Sequence, residues 1–377
     1  MVQEPSKTRW IWVDSDHQVT QLCEEITFNG AVAVDTEFRR RDTFFPQVAL
    51  LQLATTEHCW LLDPLVIRDV APIKQLLVSP NVVKVLHSAS EDLEVFAHWL
   101  GVGPTHWVDT QKAAAMLSLG FGLSYRALIQ QLLGTELAKD ETNSDWLARP
   151  LSPSQCDYAA ADVTFLAACW PVMEQMAKQR GILDWIYLES AAQTIGGKGP
   201  LAKFKSAWKL PPTQLATLQA LIDWREGQAR QKDKPRSWIL ADKVLFELAQ
   251  RMPESSHQLA GIDGMPSSMI RRHGKALLDV ISKAREQAQR TPPPALPKPA
   301  SSSVRALAKQ LAAPLQTLAD QLVMNVEILM PSRELELLAR EALGESIEVP
   351  SSWAGWRADV VVGPMRETVA RLAGAAC

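Results

Sequence analysis

Cysteine is scarce and carries no pattern. The chain has five, Cys23, Cys59, Cys156, Cys169 and Cys377, an odd number with no C-x-x-C pair. That argues against a disulfide framework and against a zinc cluster, and it fits a reducing cytoplasm. Tyrosine is scarcer, with three in the chain, so each is worth locating. No run of about 18 or more uncharged apolar residues occurs, so no membrane-spanning helix and no membrane partner are expected. The stretch from Met1 to Asp16 is too polar for a signal peptide. There is no G-x-x-x-x-G-K-[ST] phosphate loop, which excludes a P-loop helicase or ATPase.

What is present is an ordinary globular composition, 47% hydrophobic and 21% charged, in a length that suits two or three domains. The net charge of −3 hides an asymmetry. Residues 1–203 carry 16 Lys+Arg against 24 Asp+Glu, whereas residues 204–290 carry 15 against 9. An acidic front and a basic middle suit a metal site beside a polyanion-binding module. Variation between unrelated domains would look the same.

The first 110 residues alternate short apolar runs with helical patterns. Ala31–Asp35, Val48–Ala54, Cys59–Leu62, Val82–Leu86 and His106–Asp109 read as strands, with helices near 70–77 and 90–100. That alternation predicts an α/β layer domain. Ser152-Pro153 reads as an N-cap followed by a first-turn proline, opening a helix to about Lys178 that Pro171 would kink or break. The Gly196–Pro200 stretch marks a break. Helices without strand signals follow over 211–290, then a Pro/Ser-rich linker over 291–303 and an Ala/Leu-rich helical tail from Val304. The expected division is 1–200, 205–290, the 291–303 linker, and 304–377.

Three pieces carry chemistry. In Val34-Asp35-Thr36-Glu37-Phe38, residues two apart on a strand face one side, so Asp35 and Glu37 present two carboxylates together. Adjacent anions repel unless a cation lies between them, and a hard divalent ion takes oxygen ligands; a lone D-x-E is also common on surfaces. In His87-Ser88-Ala89-Ser90-Glu91-Asp92-Leu93, Ser90 reads as an N-cap. Asp92 then either complements the helix dipole or supplies a third carboxylate. In Tyr158-Ala159-Ala160-Ala161-Asp162, a spacing of four puts Tyr158 and Asp162 on one helix face, as a catalytic pair or as a core tyrosine with its partner.

Together the three form an ordered set that resembles the DEDD exonuclease superfamily in its tyrosine-bearing branch, and more closely the bacterial ribonuclease D family. Val34–Phe38, Leu86–Phe96, Ser144–Pro150 and Tyr158–Val163 carry the resemblance over the first 200 residues. Residues 211–290 resemble the helical HRDC domain, and the segment after Val304 resembles a second, more divergent one. The resemblance implies a ribonuclease H-like α/β exonuclease domain, a mixed sheet flanked by helices, followed by two all-α HRDC-type domains. It implies a 3′→5′ exoribonuclease that releases nucleoside 5′-monophosphates and trims tRNA precursors and other small structured RNAs. Asp35, Glu37, Asp92 and Asp162 would hold two divalent ions, Mg²⁺ or Mn²⁺, and Tyr158 would orient the attacking water. His87 would touch the terminal nucleotide or cap the next helix. Trp146 would stack on a base or fill the core. Gln52 is a further substrate-contact candidate, and Asp109 a helix cap. Arg230, Lys232, Lys234, Arg236, Arg271, Arg272 and Lys275 would bind phosphates in a largely sequence-independent way, or form a solvated face. No protein partner is implied. A DNA-directed exonuclease and an inactive nucleic-acid-binding protein are the competing readings, since recognition of the RNA 2′-OH is not encoded in a motif.

Overall fold

The computed structural model describes residues 10–137, 144–193 and 199–374. The chain divides into two compact units. The first comprises Met1–Arg39, Val48–Ile195 and Ala300–Cys377, and the second Arg40–Gln47 and Gly196–Pro299.

The first unit is built on a six-stranded sheet: β1 (Ile11–Val13), β2 (Ala31–Arg39), β3 (Gln47–Ala54), β4 (Cys59–Leu62), β5 (Val83–Leu86) and β6 (Trp107–Asp109). Its order is β1-β4-β3-β2-β5-β6. It is mixed: β3 runs antiparallel to β4, whereas β2, β5 and β6 are parallel neighbours and β1 is parallel to β4. Five of these strands were legible as apolar runs. β1 was not, because three residues carry no periodicity. The flanking helices are α1 (Asp16–Asn29), α2 (Ala71–Val78), α3 (Ser90–Trp99), α4 (Thr110–Met116), α5 (Tyr125–Leu133), α6 (Pro153–Gln179) and α7 (Leu183–Ala191).

Alternation along the strands serves two cores. Val32, Val34, Leu51 and Leu53 pack on one face with Leu93 and Phe96 of α3. Ala33, Leu50, Ala54 and Leu61 pack on the other with α6. Helix α6 opens on a capping box between Ser152 and Gln155, which satisfies orphan backbone donors. Its buried stripe, Cys156, Ala159, Ala160, Val163, Leu166, Ala167 and Trp170, repeats at three and four residues, as a sheet-covering helix requires. The helix continues through Pro171, so of the expected kink or break the break is absent.

The second unit contains α8 (Pro212–Lys232), α9 (Arg236–Ile239), α10 (Asp242–Arg251), α11 (Ser256–Ala260) and α12 (Ser267–Arg290). They close around Leu218, Leu221, Leu245, Leu248, Leu277 and Ile281. The β2–β3 connection belongs to this unit: the Asp233 carboxylate accepts from the backbone N–H of Phe44 at 2.9 Å and of Phe45 at 3.0 Å.

The last segment, α13 (Ser302–Leu322), α14 (Val326–Leu329), α15 (Ser332–Ala342) and α16 (Gly363–Gly374), shares the core of the first unit. Trp356 stacks on Trp185 at 5.0 Å, and Arg357 pairs with the buried Glu189 at 2.6 Å. Among the described residues no helix is long and apolar enough to cross a membrane.

Candidate active site

The two carboxylates of β2 and one of α6 converge. Asp35, Glu37 and Asp162 each offer an oxygen such that the three lie within 4.8 Å of one another. All three side chains are half-buried. Asp35 and Glu37 follow the parity of Ala33, so they face the side of the sheet that α6 covers. The alanines at 159 and 160 are buried there, which lets α6 approach closely enough to bring Asp162 in.

Asp92 arrives from the opposite layer, in the first turn of α3. Thr36, between the two β2 carboxylates and pointing the other way, donates its hydroxyl to Asp92 at 2.5 Å. This threonine was missed in the sequence. Strand alternation was the available signal, since it places residue 36 on the face opposite Asp35 and Glu37. Ser90 is not the cap expected of it: helix α3 is capped at Ala89, with no side-chain bond to that cap. Asp109 anchors the turn instead, accepting from Ser88 N at 2.9 Å and Ala89 N at 3.3 Å, while also capping α4 through Gln111 N.

The electrostatics are those of crowded anions. Burial pushes the Asp35 carboxyl well above the usual carboxylate range, and the charges of Asp92, Asp162 and Glu37 add to it. Glu37 is pushed up to about 8 by burial, then by Asp162 and Asp92. Asp92 is raised to about 7 by burial, against the opposing pull of the Thr36 hydroxyl. Desolvation and like charge both favour the neutral acid. A divalent cation reverses that balance, and an all-oxygen donor set is what a hard ion takes. The residues therefore fit a divalent metal.

Tyr158 is half-buried beside this cluster. Its phenol is pushed up by burial and then by Asp162 and Glu37, so it stays protonated and can donate one hydrogen bond. Tyr125, also missed in the sequence, donates its hydroxyl to the Ala161 carbonyl at 2.8 Å. It thereby fixes the backbone beside Asp162.

His87 does not cap the next helix. Its Nδ1 lies 2.9 Å from the Thr110 hydroxyl and its Nε2 3.1 Å from the Leu123 carbonyl. Burial lowers its pKa, and a neutral ring facing a carbonyl keeps its proton on Nε2. Trp146 is 4% exposed, with its ring 6.1 Å from that of Tyr158, so it backs the tyrosine and presents no open stacking face. Gln52 lies on the sheet face of Asp35 and Glu37 but has no exposed surface, and both its amide atoms lack a hydrogen-bond partner among the described residues. Local hydrogen bonding, the ordinary fate of a strand glutamine, is not found.

In the second unit, Lys232, Arg271, Arg272 and Lys275 are exposed. Lys232 approaches His273 at 3.0 Å. Arg230 and Arg236 place their guanidiniums 4.8 and 4.6 Å from the ring centre of Phe44, and Arg236 is also paired with Glu226. Lys234 donates to the Asp42 carbonyl at 3.3 Å. These cations are thus divided between packing and solvent.

The family described as 3′-5′ exonuclease matches residues 10–178, and the HRDC domain family matches 214–281. Ribonuclease D of Pseudomonas paraeruginosa is 38% identical, covering 92% of this chain and 94% of the relative. Ribonuclease D of Escherichia coli is 32% identical, covering 93% and 95%. The crystal structure of Escherichia coli RNase D, described as an exoribonuclease involved in structured RNA processing, superposes with a TM-score of 0.85 at 30% identity, covering 97% of this chain and 99% of that one.

Proposed function

This chain belongs to the ribonuclease D family and is a 3′→5′ exoribonuclease, and from that premise we propose that Asp35, Glu37, Asp92 and Asp162 hold two divalent cations, Mg²⁺ or Mn²⁺, at the scissile phosphodiester. The observation that carries this reading is the convergence of Asp35, Glu37 and Asp162 within 4.8 Å, with Asp92 close enough to raise the pKa of Asp35. When bound, such a pair of ions supplies Lewis acidity to an in-line displacement.

The protein's own residues do the rest. Thr36 holds Asp92 in place from behind β2. The Tyr158 hydroxyl, too weak an acid to serve as a base, orients the attacking water by its hydrogen bond. Its ring is steadied by Trp146. Attack at the terminal linkage leaves the phosphate on the departing nucleoside, so the products are nucleoside 5′-monophosphates. His87 offers the terminal nucleotide its ring, since both nitrogens are engaged. Trp146 backs Tyr158 from inside the fold, and Gln52 is buried on the sheet face that carries Asp35 and Glu37. Lys232, Arg271, Arg272 and Lys275 meet RNA phosphates, with Arg230, Lys234 and Arg236 behind them.

The RNAs trimmed are tRNA precursors and other small structured RNAs, in the cytoplasm. The structured-RNA description of the Escherichia coli relative supports that class. The functional division of the chain is 1–200 for chemistry, 205–290 and 304–377 as HRDC-type helical domains, and 291–303 as linker. Incubation of a 5′-labelled hairpin RNA carrying a 3′ tail, with Mn²⁺ and then with EDTA, tests the scheme. A ladder shortening from the 3′ end with 5′-monophosphate products, stopped by EDTA, is expected. Internal cuts or 3′-phosphate products would overturn it.

A further inference from the structure

The second unit holds a cationic cavity that the exonuclease chemistry does not use. It has a volume of about 340 Å³, and its lining includes Arg40, Arg41, Lys203, Arg225, Arg236 and Asp242. Three of the cations are engaged, Arg40 among them. Arg225 is 1% exposed, donates to the Leu240 carbonyl at 2.8 Å and pairs with Asp242 at 2.6 Å. Arg236 pairs with Glu226. Arg41 and Lys203 are exposed and make no ion pair among the described residues. The Nε of Arg225 is buried without a partner. The wall therefore stays net positive once Asp242 and Glu226 are set against their cations.

Beside the cavity stands an aromatic surface. Trp238 follows the lining residue Ser237 and is 63% exposed, unusual for the largest apolar side chain in a soluble fold. The Lys234 ammonium lies 5.7 Å from its ring centre. A ring left in water beside a positive cavity is the pairing by which proteins hold single-stranded nucleic acid: cations track the backbone and the ring stacks on a base. Arg40 and Arg41 stand three and four residues after Glu37 in the sequence, so the segment that leaves the catalytic strand is the one that lines this cavity.

We propose that this cavity and Trp238 form a binding site for the unpaired RNA strand upstream of the reacting 3′ end, with Arg41 and Lys203 on a backbone phosphate and Trp238 stacked on a base. The site rests on the exoribonuclease reading for its ligand. It places binding of a tailed substrate on residues outside the carboxylate cluster. None of Arg41, Lys203 and Trp238 belongs to that cluster.

The test uses the full chain and two variants, the double substitution Arg41→Gln with Lys203→Gln, and Trp238→Ala. Binding of a hairpin with an unpaired 3′ tail, and of a blunt duplex, is followed by fluorescence anisotropy in EDTA over a salt series. The double variant should bind the tailed RNA more weakly. Its log–log salt slope should be shallower by about 0.7 for each single-strand phosphate that is no longer neutralised. Trp238→Ala should weaken the tailed RNA on the order of tenfold and leave the blunt duplex unchanged. Cleavage of a dinucleotide, which has no upstream strand, should stay at the parental rate in both. Parental affinity and slope in the double variant would overturn the site while dinucleotide cleavage still upheld the exoribonuclease reading. Absence of dinucleotide and tailed-RNA cleavage by the parental chain would instead sink that reading. Equal losses on tailed and blunt RNA for Trp238→Ala would overturn the stacking role. Thermal protection of the parental chain by inorganic phosphate, lost in the double variant with RNA affinity unmoved, would make the cavity a free-anion site and overturn the proposal.

Discussion

The carboxylates of the site carry a cost in the absence of a cation. Glu37 has an unfolded value near 4.5 and is pushed up to about 8 in the folded chain. Between those values the folded state binds more protons than the unfolded one, so stability falls as pH rises through that window. In EDTA the melting temperature should therefore decline from about pH 5 to about pH 8, and Mn²⁺ should restore most at the upper end, where its ligands are already deprotonated. Glu37→Gln should flatten the decline and raise the melting temperature in EDTA at pH 8, while nearly abolishing cleavage. A Gln variant less stable than the parent at pH 8 in EDTA would remove the repulsion argument. Tyr158→Phe makes a complementary test. It should lower kcat strongly, since one water-orienting hydrogen bond is lost, and leave Mn²⁺ affinity by calorimetry nearly unchanged. Gln52 is simpler: two buried, unpartnered amide atoms each cost about 1–3 kcal/mol. Gln52→Met should thus raise the melting temperature without changing KM. An increase in KM would show that the amide reaches the substrate after all.

At the scale of elements, Arg357 holds three helical segments together. It pairs with Glu189 of α7 and donates to the carbonyls of Ile328 and Leu329 in α14. Both partners of the ion pair are nearly buried, at 8% and 10% side-chain exposure. Removing one partner leaves an uncompensated charge inside, for which about 3–5 kcal/mol is the usual loss. Lys112, 3.4 Å from the same glutamate, offsets part of it. Arg357→Leu should lower the urea midpoint accordingly, and Arg357→Lys should not fully restore it, because one ammonium cannot reach the glutamate and both carbonyls as the planar fork does. A midpoint within error of the parent would mean that α13–α16 melt apart from the sheet.

At the scale of the whole molecule, the third segment of the chain completes the first. Arg180 reaches the carbonyls of Leu322 and Val323 at 2.7 and 2.8 Å, and the Trp185–Trp356 stack closes the same interface. A truncation after Lys203 would uncover that apolar surface, so it should lower solubility and melting temperature before any effect on RNA affinity can be read. A nick is the cleaner probe. The 292–301 stretch has no regular structure and is largely exposed, where proteolysis concentrates. Chain cut there should still elute as one species on gel filtration, held by the core that the 300–374 residues share with the sheet. Separation of the fragments without denaturant would show that the shared core is too weak to hold them.

The order Asp35, Glu37, Asp92, Tyr158, Asp162 was legible in the sequence because each residue sits in a local pattern: a two-residue strand period, a strand-to-helix junction, a four-residue helical spacing. Five strands and the long α6 were legible for the same reason, since short-range periodicity is written in consecutive residues. The family followed from that order. Other features depended on residues far apart in the chain meeting in the fold. Thr36 grips Asp92 across 56 residues, Asp109 anchors the turn at Ser88 and Ala89 across about twenty, and the β2–β3 connection joins the second unit through Asp233. The packing of α13–α16 on the first unit, the burial of Trp146 and Gln52, and the exposure of Trp238 likewise came only from the tertiary structure. Burial and pairing are properties of what the rest of the chain places next to a residue, and local sequence patterns do not specify that neighbour.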